Sequence, residues 1–199
     1  MALVKLNNRA VKDIDTLGFG TGDLTFISKQ TASSSASISF TSGIDSTYKE
    51  YVFYFVNMHP ASDGVGLQFN MSVDSGSNYN VTKTSTQFYA EHDDGDSFAS
   101  LSYWTGGDLA QSTSNQKLGL NIGADNNQSA SGFLHLFNPS SSVFVKHFMA
   151  TINTEADNDN TSVSYIAGYG NTTSPINAIK FQMSSGNIDS GEILLYGVN

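Results

Sequence analysis

The sequence predicts an all-β protein, an antiparallel two-sheet sandwich or barrel behind an extended N-terminal arm. Three observations predict it. Apolar residues recur with a period near two over ten or eleven short segments, as strands wet on one face do. Clusters of Gly, Asn, Asp and Ser separate those segments and supply the positive φ angles and side-chain turns that hairpins need. Only 14% of the 199 residues are charged, while 12% are aromatic. Polarity therefore comes from Ser, Thr, Asn and Gly, which suit turns and strand faces better than helix surfaces.

Taken in order, residues 1–23 stand apart. They hold Lys5, Arg9 and Lys12, a third of the nine Lys and Arg, and they end in the glycine-rich "GFGTGD". Leu3, Val4 and Leu6 alternate weakly with Lys5, and Val11 follows before Lys12. The run is too short for a domain and reads as an assembly arm with a hinge, followed by a sandwich domain over 24–199. "LTFISK" (24–29) puts Leu24, Phe26 and Ser28 on one face, and "ASISF" (36–40) puts Ile38 and Phe40 together. "KEYVFYFVNM" (49–58) is nearly continuous in apolar residues, which predicts a central strand buried on both faces. "VGLQFNMSVD" (65–74) alternates strictly, with Val65, Leu67, Phe69, Met71 and Val73 facing one way.

Further strands are predicted at 85–90, 117–122, 132–137, 143–153, 162–170, 178–183 and 192–198. The stretch 95–115 has the weakest period. It contains the single tryptophan, Trp104, beside Gly106 and Gly107, and reads as a long loop or an irregular strand. In the last strand Ile193 and Leu195 share one face, and Leu194 and Tyr196 the other. A strand apolar on both faces belongs inside a sheet or at a subunit contact. The chain's end is therefore expected to be pinned in the sandwich, with attachment through the arm.

Charge and composition exclude several functions. The formal net charge is −9, and no cluster of Lys or Arg is present to displace counterions from nucleic acid or to meet an anionic membrane. No cysteine is present, which removes disulfides, thiolate chemistry and Cys-type zinc sites and suits assembly in a reducing cytoplasm. The first residues lack the apolar core of a signal peptide, and no stretch reaches the roughly 18 apolar residues of a membrane span. If the protein works outside a cell, release by lysis is one route that fits.

The chemistry-bearing residues form no catalytic motif. His59, His92, His135 and His147 make no HExxH or His-x-His pair, and His135 and His147 fall at strand-face positions. No G-x-S-x-G elbow occurs. "GFGTG" follows no strand and cradles no phosphate. The acidic "EHDDGD" (91–96) and "EADNDN" (155–160) resemble calcium loops only in part, and they read as solvated hairpin turns. No enzyme activity, metal or cofactor is expected. One binding arrangement stays open. Tyr103, Trp104 and Asp108 beside the glycine pair, with Tyr89, have the aromatic-plus-carboxylate character of a glycan site. The alternative is that these aromatics plug one end of the sandwich.

Several stretches together resemble a group of virion structural proteins from tailed phages of marine bacteria, cyanobacteria included. They are "ALVKLNNRAVKDI" (2–14), "FISKQTASSSASISFTSGIDSTYKEYVF" (26–53), "VNMHP" (56–60), "SGFLHLFNPSSSVFVKHF" (131–148), "AGYGNTTSPINAIKF" (167–181) and "MSSGNIDSGEILLYGVN" (183–199). The resemblance is weakest over 91–130. It implies a non-enzymatic virion component of decoration or tail-associated type, with a jelly-roll-like sandwich. Such a protein would sit on capsid or tail among other virion proteins, as a homo-oligomer expected to be a trimer. The alternative function is a receptor-binding module that recognises a host surface glycan.

Overall fold

A computed structural model describes residues 24–199, so the arm residues Leu3, Val4, Lys5, Leu6, Arg9, Val11 and Lys12 lie outside the described residues. The described chain is all β. Its strands are β1 (Leu24–Ser35), β2 (Ile38–Phe40), β3 (Glu50–Pro60), β4 (Leu67–Ser72), β5 (Lys83–Asp93) and β6 (Ala99–Tyr103). They continue as β7 (Gln116–Lys117), β8 (Ala130–Phe137), β9 (Lys146–Glu155), β10 (Asn160–Gly170), β11 (Ala178–Met183) and β12 (Ile188–Val198). The large sheet runs β1-β12-β3-β8-β9-β10-β5-β6, and the small one runs β2-β11-β4-β7.

The pairings are nested. Strand β1 pairs with β12, β2 with β11, β3 with β8 and β4 with β7, all antiparallel. That is one long hairpin folded over into two facing four-stranded sheets, the jelly-roll arrangement. Two insertions enlarge it. Hairpin β5–β6 follows β4, and hairpin β9–β10 follows β8, and β10 pairs with β5 to join them. The large sheet therefore extends four strands beyond the jelly-roll pairing, and the small sheet still meets them: Phe69 of β4 lies 5.1 Å from Phe148 of β9, and Asn70 of β4 accepts from Lys83 of β5.

The core lies between the sheets, as the alternation requires. Phe181 of β11 is its hub, with ring centroids 5.1 Å from Phe55, 5.3 Å from Phe53, 6.3 Å from Phe40 and 6.4 Å from Phe69. Leu67, Phe69 and Met71 of β4 are fully buried, whereas Val73 lies past the strand end and is exposed. Strand β12 is an interior strand between β1 and β3, with Ile193 and Leu195 fully buried on its core face.

Four strand readings need correction. A bulge between Phe26 and Ser28 turns Ser28 away from the face shared by Leu24 and Phe26. Strand β3 is interior, yet its outward face is only partly covered: Val52 is buried and Val56 is exposed. Leu118, Leu120 and Ile122 alternate inward as the sequence predicts, but only Gln116 and Lys117 pair as a strand. Strand β9 begins at Lys146 because the Ser141 hydroxyl accepts the N–H groups of Val143 and Phe144, which curls that stretch into a turn.

Candidate functional site

Strand amphipathicity reverses in the extension. In β5 and β10 most of the residues facing the interior are polar: Lys83 and Gln87, and Ser162 and Ser164, all buried, beside Ile166. Those facing outward include Phe88, and Val163, Tyr165 and Tyr169. Lys83 and Gln87 are closed in by the segment 104–128. The Lys83 ammonium donates to Asn70 Oδ1 at 2.6 Å and to the Val81 carbonyl at 2.7 Å. Burial pushes its pKa down to about 8. Among the described residues, Gln87 Nε2 and Oε1, Gln116 Oε1, Ser162 Oγ and Ser164 Oγ are buried with no hydrogen-bond partner. They are the kind of atoms that buried water satisfies.

The outward face is correspondingly apolar. Register places Leu194, Tyr54, Phe133, Thr151, Tyr165, Phe88 and Tyr103 in one row across seven consecutive strands. The next row runs Phe26, Tyr196, Val52, His135, Met149, Ala167 and Thr86. Rings couple along and between these rows. Phe26 meets Tyr196 at 5.5 Å, Tyr196 meets Tyr54 at 5.6 Å, and Phe88 stacks on Tyr165 at 5.0 Å and 17°.

Where the small residues Ala167, Gly168, Thr84 and Thr86 fall between taller neighbours, the face sinks into two adjoining recesses of about 460 and 510 Å³. Phe133, Phe137 and Met149 stand on one side, and Phe88, Tyr165 and Tyr169 on the other. A side chain at Gly168 would run inward into Phe148 Cζ and the Thr84 carbonyl, each 2.6 Å from an added Cβ, so glycine lets β10 pack closely on its neighbours there. Glu50 is the one carboxylate lining the recesses, and it is paired with His135 Nδ1. The His135 ring is stacked on Phe137 and edge-on to Phe133. The surface is built for apolar contact.

The four candidate glycan residues do not form one platform. Tyr103 pairs with Phe88, so it lies on the outward face, while Tyr89 pairs with Ser102 and points inward. The Tyr103 hydroxyl donates to Asp108 at 2.6 Å, which raises the tyrosine's pKa. Trp104, half-buried, turns away from Tyr103. Lys117 Nζ sits 4.9 Å from its ring centroid, and a side chain at Gly107 would collide with both Trp104 and Gln87. Trp104 thus closes the end of the interior. Tyr103 and Asp108 remain together, with Tyr103 exposed.

Two polar recesses lie elsewhere. One, of about 480 Å³, includes Gln68, Asn70, Tyr79, Asn115 and Lys117 in its lining. Its Asn70 amide is committed to Thr113, Asn115, Lys83 and the Met71 N–H. The other, of about 390 Å³, has Asn57, His59, Asn127 and Asp189 among its residues. In the acidic loops, Asp93 accepts the N–H groups of Ser97 and Phe98 at 2.9 and 2.7 Å and is held below the usual carboxylate range, chiefly by its bond from the Ser97 side chain. Among the described residues no group of three or more His, Asp or Glu is placed to hold a metal ion.

Sequence reasoning missed the outward apolar face. The signal was present in "SVSYIAGYG", where buried serines alternate with an apolar set that faces out. Comparison with protein-family models, curated proteins and solved structures gives no match.

Proposed function

We propose that this protein is a non-enzymatic virion structural protein displayed on a phage capsid or tail, anchored through its N-terminal arm. On this reading the outward face of the large sheet is its assembly surface. The observation that carries the assembly role is the reversed amphipathicity of β5 and β10, with Phe88 and Tyr165 outside and Gln87 and Ser164 inside. Four strands have been added to the sandwich; β9 and β10 extend the core through Phe148, Ile152 and Ile166, yet the added strands also widen an apolar outer surface. Folding alone gives no reason for that, because exposed aromatic area is unfavourable in water. The phage setting draws on the motif resemblance, on the lack of cysteine and on the acidic, Ser/Thr/Asn-rich composition.

The reading is tested by deleting residues 2–16 in the producing phage and probing purified particles for the protein. The expected result is a folded, soluble protein that is lost from particles. Normal incorporation of the truncated chain would overturn anchoring through the arm.

A second reading, a receptor-binding module for a host surface glycan, is favoured by one observation. Tyr103 is exposed and oriented by its hydrogen bond to Asp108, so an aromatic face and a carboxylate stand side by side at the sheet edge. Whole-cell binding by the isolated protein, reduced at least tenfold in Tyr103→Ala, would support it.

A further inference from the structure

We infer that the occupant of the outward face of the eight-stranded sheet is another copy of this chain, packed face against face. The inference rests on the reading of that face as an assembly surface and adds its partner.

The first argument is area. Phe26, Phe88, Leu101, Tyr103, Met149 and Tyr165 are each 42–73% exposed on this one face. At ~200 Å² for a large side chain, they leave on the order of 600 Å² of apolar surface open. Half-buried Tyr54, Phe133 and Tyr196 add to it. A stable protein–protein contact covers about 800 Å² per partner, so the face is of the right size for a whole protein.

The second argument is shape. The exposed side chains run from β1 at one edge to β6 at the other. At ~4.8 Å per strand the face is about 34 Å wide. A single extended segment, such as residues 1–23, covers one such lane and leaves the rest wet. A second sheet covers all of it, with side chains from the two faces able to fill each other's recesses over Ala167 and Gly168.

The third argument is charge. Residues 24–199 hold six lysines and fifteen Asp and Glu, a net charge of −9, so copies repel through most of their surface. On the outward face Glu50 is paired with His135 and Lys29 with Glu192 at 2.6 Å, and Glu155 stands at one end of it beside Thr161. A basic partner would be drawn to the acidic surface elsewhere. This face, close to neutral and apolar, is where two acidic copies meet at least cost.

The test is the mass of the purified full chain in solution by light scattering, beside Met149→Glu and the deletion of residues 2–16. Met149 is 55% exposed, so its replacement leaves the core intact, and circular dichroism checks the fold. The expected result is a multimer for the parent and for the deletion, and a monomer of about 21 kDa for Met149→Glu. The chain has no cysteine, so a single Thr151→Cys on this face should give cross-linked dimers with a short bismaleimide, while Ser185→Cys in the exposed loop between β11 and β12 should not. A monomeric parent, an undiminished mass for Met149→Glu, or a deletion that alone yields monomers would each overturn the inference. The last outcome would assign the face to the arm. Mass in solution and presence in particles are separate readouts. A multimer absent from particles would sink the virion reading alone, and a monomer found in particles would sink only this inference.

Discussion

Replacing Phe181 by alanine measures what joins the two sheets. Phe181 is fully buried, and its ring meets two rings of the large sheet, Phe53 and Phe55, and two of the small one, Phe40 and Phe69. Truncating a buried Phe to Ala costs ~3–5 kcal/mol in lost transfer energy and residual cavity. Each aromatic pair adds about 0.5–1.5 kcal/mol beyond area, so the upper end of that range applies. Folded domains hold only ~5–15 kcal/mol in total, and the variant should sit close to its unfolding threshold. Urea denaturation at fixed protein concentration reads the effect as a fall in midpoint. Phe98→Ala, at a side chain 47% exposed in the β5–β6 loop, should move stability by less than about 0.5 kcal/mol. A loss below about 1.5 kcal/mol for Phe181→Ala would refute the account of the core, because the hub would then not be clamping the sheets together.

Other outcomes follow from the polar interior and the sheet edge. Lys83 is pushed down to about 8 by burial, while the unfolded chain keeps its proton to about 10.5. Between those values the unfolded state binds more protons, so stability should rise with pH from about 8 towards 10, by up to about 3 kcal/mol, and be flat below 8. Lys83→Met should remove most of the rise, leaving the part that Lys146, also pushed down by burial, contributes, as chemical denaturation at successive pH values would show. Gly107→Ala should destabilise by at least ~1 kcal/mol, because the new methyl meets Gln87 and Trp104; an unchanged thermal midpoint would contradict that packing. Trp104→Ala should lower stability through loss of the interior plug while leaving any host binding carried by Tyr103 and Asp108 intact. A variant that kept full stability but lost binding would return Trp104 to the site.

Much of the fold was legible because alternation reports strands directly. Leu67, Phe69 and Met71 read as one face and are one face, and Ile193 and Leu195 read as core in a pinned last strand and are buried there. What alternation lacks is a sign. In β10 the set Val163, Tyr165 and Ala167 and the set Ser162, Ser164 and Ile166 alternate equally well, and a strand turned over has the same period. Only the pairing of β10 with β5 and β9 decides that the serines go in. The same parity separated Tyr89 from Tyr103, whose faces are fixed by the β5–β6 register and by no local property of either residue. The nesting of β1 through β12 depends on contacts between chain ends, which no window of residues contains.

The most direct test of the central claim is a cryo-EM map of the intact particle in which this protein is located. The account predicts copies meeting through the outward face of the eight-stranded sheet, with Tyr165 and Met149 at the contact and residues 1–23 leading to the particle. A map in which that face stands open to solvent, with the copies touching elsewhere, would contradict it.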